Sequence, residues 1–114
     1  MDSIRQQKVS ALLKRELATI FIDVNKSKLG GAFITVTQVR VTSDMSLARV
    51  YLSLFIKGDK QELLDKVKEL KGYIRGQLGN KLAKDLRKIP DLQFYLDDSL
   101  DYADEIDRLL KKWD

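Results

Sequence analysis

The chain has 114 residues, 44% hydrophobic and 33% charged, with a formal net charge of +4. That is enough chain for one core of ordinary size, too little for two comfortable domains, and unlike the composition of a disordered segment. It contains no cysteine and no histidine, which excludes a disulfide framework, a thiolate nucleophile and the usual zinc sites.

In chain order, Asp2 or Ser3 can cap a first helix whose apolar positions Val9, Leu12, Leu13, Leu17, Ile20, Phe21 and Val24 recur at three- and four-residue steps. Lys8 and Arg15 fall together on its opposite face. NKSKLGG breaks it. Two β-branched runs follow, residues 32–41 and 46–55, joined by the turn-forming TSDM. Alternation in the second puts Ala48, Val50, Leu52 and Leu54 on one face of a half-buried hairpin, and in the first it falters near Thr37 and Gln38, which predicts a bulge. After KGD the period becomes 3.6, with one long stripe from Leu63 to Ile89 that Pro90 stops. LQFYL alternates as a third strand over 92–96. Ser99 can then cap a terminal helix with an apolar side ending at Trp113.

The order predicts an α+β domain over residues 1–114. It has a three-stranded sheet, helices packed on one face, and residues 99–114 as a C-terminal helical extension. No run is long enough to span a membrane or to serve as a signal-peptide core, so the expectation is a cytoplasmic monomer with no membrane association.

Charge is unevenly placed. Residues 71–90 carry six basic groups (Lys71, Arg75, Lys81, Lys84, Arg87 and Lys88) against one acid, Asp85, whereas residues 91–114 carry eight acids and three bases. Solvated faces normally mix signs, so the basic stretch points to a polyanion, with Lys8 and Arg15 extending the footprint if the first helix packs beside it. The same stretch holds Gly72, Gly76 and Gly79, which on one helix fall within about 60° of each other. A glycine face admits close backbone approach, either to another part of the chain or to a phosphate; internal packing is the commoner cause. The literal G-x-x-G of Gly76 to Gly79 does not predict a nucleotide-clamping loop, because Leu78 is in register with the apolar stripe. Aromatic side chains for base stacking are sparse: Tyr51, Tyr73 and Tyr95 are candidates, and each serves at least as readily as a packing residue, which favours recognition of the backbone and shape of a structured RNA over reading of individual bases.

The element order resembles the type II KH fold as far as the third strand. The local sequences ITVTQVRVTSDMSLARVYLS, GYIRGQLGNKL and IPDLQFYLDDSL, in this order over nearly the whole chain, resemble the ribosome-binding factor A family. The resemblance implies an RNA-binding KH-like domain in which a kink between the second and third helices, at an Ala-x-Gly, replaces the G-x-x-G loop. Here that position is Leu70, Lys71 and Gly72. It also implies a partner, the free or immature small ribosomal subunit and its rRNA, and a role in late maturation and 5′-end processing that matters most in the cold. No cofactor, metal, catalytic residue or small-molecule substrate is expected.

Two other readings start from the acidic end. The terminal helix could make the chain a protein-interaction adaptor. Asp97, Asp98, Asp101, Asp104, Glu105 and Asp107 could in principle hold magnesium, but acids early in a helix are stabilised without a ligand, and no companion nucleophile or base accompanies them.

Overall fold

The structure, a computed structural model, describes residues 2–30, 32–55 and 58–97. Its elements run α1 (Ile4–Ser27), β1 (Phe33–Val41), β2 (Leu47–Phe55), α2 (Lys60–Glu69), α3 (Lys71–Leu82) and β3 (Asp91–Leu96). The strands lie in the order β1-β2-β3; β1 and β2 are antiparallel, β2 and β3 parallel. A parallel pair needs a long crossover, and α2 with α3 supplies it. The α+β class and the order of the first six elements are as the sequence predicts. The C-terminal helix expected over 99–114 lies outside the described residues.

Ser3 starts α1 through a capping box: its Oγ accepts from Gln6 N at 3.1 Å while its own N–H donates to Gln6 Oε1 at 2.8 Å. Leu13, Leu17, Ile20, Phe21 and Val24 are buried, with Phe21 meeting Phe94 edge-on at 6.2 Å. Three buried polar residues share this face. Gln6 Nε2 donates to Val41 O at 3.0 Å, Ser10 Oγ accepts from Val41 N at 3.2 Å, and Asn25 Nδ2 donates to Ile34 O at 3.1 Å. These bonds occupy backbone groups along the outer edge of β1, so α1 closes an edge that would otherwise be open to pairing. Apolar periodicity alone does not reveal them.

The predicted bulge is present, as a register shift between Val36 and Gln38. Because Thr37 is unpaired in the ladder, Ile34 and Val36 before it and Val39 and Val41 after it all face the same core. The Thr37 hydroxyl lies within reach of both the Tyr51 carbonyl and the Asp97 carboxylate; with a single proton it donates to one at a time. In the β1–β2 turn, Met45 takes a left-handed φ of 63°, and Asp44 Oδ1 accepts from Thr42 Oγ1, Ser46 N and Ser46 Oγ at 2.8 to 3.1 Å.

The long stripe is not one helix. α2 ends at Glu69 and α3 starts at Lys71, with Leu70 between them at φ −87° and ψ 5°. Leu70 packs partly against the core, and its N–H is shared between the Lys66 and Val67 carbonyls at 3.2 and 3.0 Å. Gly72 falls in the first turn of α3. The helix also stops earlier than the stripe implies, at Leu82 instead of just before Pro90. Asp85 N and Leu86 N both bond Leu82 O at 2.9 Å, closing the chain into a turn. Leu86 and Ile89 keep the apolar spacing of a helix but reach the core from an irregular connection.

Candidate nucleic-acid interface

The surface built by α3 and the connection to β3 contains most of the predicted cations. α3 buries Ile74, Leu78 and Leu82, spaced four apart, which leaves the rest of its circumference outside. No side chain caps its N-terminus, so the partial positive charge of the first turn is not met by any side chain of its own.

The glycines there are not needed for internal packing. A Cβ added at Gly72 or Gly76 would meet nothing within 4 Å, and at Gly79 only Ile89 Cγ1 at 3.7 Å, an ordinary contact. The expectation that internal packing explains Gly76 and Gly79 is therefore corrected for the described residues: among them the stripe meets nothing at Gly76 and only a yielding isoleucine at Gly79.

The cations divide by what they do. Arg75 is bound into the fold: its Nε donates to Pro90 O at 3.2 Å and its Nη2 to Ile89 O at 2.9 Å. It pins the connection that carries the next cations. Arg87 and Lys88 are exposed and line a cleft of about 350 Å³ with Arg5, Ser46, Asp44 and Asp85. Arg5, at the start of α1, is a cation that the sequence pattern does not single out, since only the tertiary fold brings it to Arg87. Lys81 and Lys84 are exposed beside this cleft in sequence.

Lys71 lies at the other end of α3. It pairs with Asp91 at 3.6 Å and, with Lys68, lines a groove of about 320 Å³ along Leu92, Gln93, Phe94 and Tyr95. Among the described residues β3 is the edge strand, and no further strand pairs with its outer side. Lys8 and Arg15 are exposed on α1, and Arg15 pairs with its neighbour Glu16 at 3.5 Å. Lys8 stands one turn from Arg5.

Of the tyrosines, Tyr73 is on α3 with Lys28 Nζ 5.0 Å from its ring centroid, whereas Tyr51 and Tyr95 stack on each other on the sheet. Asp44 is held well below the usual carboxylate range, from 3.8 to about 2, first by the Ser46 hydroxyl, then by Ser46 N–H and Thr42. It stays anionic at the cleft, where Asp85 is the second acid beside Arg5, Arg87 and Lys88. Of the acids considered as a magnesium site, only Asp97 falls among the described residues. Chemically, this surface can bind and orient a polyanion through phosphate contacts and close backbone approach.

The family model described as ribosome-binding factor A matches residues 5–110. The ribosome-binding factor A of Cytophaga hutchinsonii is 41% identical over 112 residues, covering 98% of this chain and 84% of that protein. That of Christiangramia forsetii is 39% identical over 111 residues, covering 96% and 85%. Among solved structures, the crystal structure of ribosome-binding factor A from Thermus thermophilus superposes with a TM-score of 0.67 at 24% identity, covering 80% of this chain and 94% of that one. A homology model of the Thermus thermophilus factor, fitted into a cryo-electron-microscopy map of its 30S complex, gives 0.63 at 24% identity and covers 78% and 91%.

Proposed function

The chain belongs to the ribosome-binding factor A family, and we propose that it is a non-catalytic assembly factor that attaches to the free or immature small ribosomal subunit. The homologous Thermus factor, placed in a 30S map, supports the choice of partner. The observation that carries the binding face is the α3 surface, where exposed cations flank glycines whose missing side chains serve no internal contact. Arg87, Lys88 and Arg5 take phosphates at one end of this surface, and Lys68 and Lys71 beside β3 take them at the other. Gly72 and Gly76 let RNA backbone approach the helix between them.

Binding of this kind assists late maturation by differential affinity. A factor that holds one rRNA conformer more tightly than its competitors shifts the population toward it. Processing of the 5′ end then proceeds on the favoured conformer. Mispaired RNA helices last longer in the cold, where the contribution becomes largest. The whole chain acts as one cytoplasmic KH-like domain.

Gradient sedimentation of a lysate tests this reading. The expected signal travels with free small subunits, is absent from complete ribosomes, and is lost with rising salt. A signal confined to the top of the gradient at low salt would overturn it.

A further inference from the structure

The sheet face turned away from the helices carries features that neither the core nor α3 accounts for. Tyr51 and Tyr95 are register partners on β2 and β3, with ring centroids 5.4 Å apart and planes within 27°. Tyr95 is 38% exposed, and its hydroxyl donates to Gln93 Oε1 at 2.6 Å. One row along, Arg40 and Arg49 are register partners on β1 and β2. Both are exposed, and neither makes an ion pair or side-chain hydrogen bond among the described residues. Like charges directly opposite each other destabilise a sheet, and no carboxylate among the described residues pairs with either guanidinium. The two guanidinium groups line a cleft of about 470 Å³ with the hydroxyl residues Thr42 and Ser43, and with Asp2 as its carboxylate.

We propose that this open sheet face binds single-stranded RNA, with a base stacked on the Tyr51–Tyr95 pair and the adjoining phosphates held by Arg40 and Arg49. Arg49 and Tyr51 are two residues apart on β2, a backbone rise of roughly 7 Å, about the reach from a base to a neighbouring phosphate. The chemistry selects the occupant. Two guanidinium groups with one carboxylate in their cleft and no ion pair call for an anion, and the outer face of a stacked ring pair calls for a planar partner. An acidic peptide supplies only the first, and a duplex hides its base faces in its own stack. The choice of RNA over DNA rests on the proposed function; the site itself does not. It lies on the face opposite the helices, so one molecule could hold a structured RNA on α3 and an unpaired segment on the sheet.

The test is fluorescence anisotropy of the full chain with a labelled oligouridine of about twelve nucleotides, alongside oligothymidine and an RNA duplex. Tyr95→Leu keeps apolar cover on the sheet while removing the ring. Arg49→Glu places opposite charges across from each other, so urea denaturation should show stability retained or raised. Each variant is expected to lose at least about fivefold in oligouridine affinity, with duplex affinity unchanged. Affinity indifferent to both substitutions would overturn the site, as it would if another part of the chain or a second copy covered this face. Loss with Arg49→Glu alone overturns the stacking. Equal affinity for oligothymidine overturns the RNA assignment. Co-sedimentation with small subunits that survives such a failure leaves the α3 reading standing.

Discussion

α1 and α3 pack against each other and both feed the core, yet they spend their polar residues in opposite ways. α1 has a capping box, and its buried Gln6, Ser10 and Asn25 are bonded to β1 backbone. α3 has no side-chain cap, two glycines with no neighbour within 4 Å and an exposed Lys81, and it leads into the exposed Lys84, Arg87 and Lys88. One helix is built to be held by the rest of the chain. The other gives up helical stability, since each interior glycine costs roughly 0.5–1 kcal/mol relative to alanine, and no contact among the described residues makes use of that concession at Gly72 or Gly76.

The contrast can be broken by substitution, starting from the deepest site. Phe21→Ala removes a fully buried ring that meets Phe94 edge-on, and should cost about 3–5 kcal/mol in urea denaturation. Gln6→Ala opens the capping box and leaves the Val41 carbonyl without its donor; a loss of about 1–3 kcal/mol is expected by the same measurement. A loss under about 0.5 kcal/mol would show that the polar seam does not hold α1 in place.

On the α3 side, Arg87→Glu with Lys88→Glu should leave stability within about 0.5 kcal/mol. The pair should weaken small-subunit binding at least tenfold and flatten its salt dependence by nearly one unit of log–log slope per lost phosphate contact. Arg75 is unsuitable for this test, because it bonds the carbonyls of Ile89 and Pro90 and its loss would disturb the connection itself. Gly76→Ala should stabilise the fold by about 0.5–1 kcal/mol. The smallest effect belongs to Asp44. Its pKa falls from 3.8 to about 2 on folding, so its contribution is fully present above 3.8 and disappears as the pH drops through 2. In Asp44→Asn the midpoint of unfolding should depend less on pH across that window.

The helix-to-strand order was legible because the apolar period changes cleanly from 3.6 to 2 and back, and even the bulge at Thr37 announced itself as a lapse in alternation. What misled was the same signal carried too far. Leu86 and Ile89 hold helical spacing, yet a turn from Leu82 delivers them to the core while Arg75 holds the carbonyls beyond. The break between α2 and α3 sits at Leu70, which local chemistry does not mark, while Gly72, which looks like a breaker, is helical. The cation cluster was visible as a run of one sign. Its sorting was not: Arg75 turned inward, and Arg5 arrived from the other end of the chain. The Arg40–Arg49 pairing depends on strand register, which the bulge shifts by one residue.

The most direct test of the contrast is Gly76→Gln, assayed for folding and for co-sedimentation with small subunits. Glutamine is a good helix former, and a Cβ at this position has nothing within 4 Å to strike. The expected result is a protein at least as stable as the parent that no longer travels with small subunits. A variant that is equally stable and sediments with the subunits in full would contradict the claim that the glycine face of α3 is kept open for RNA.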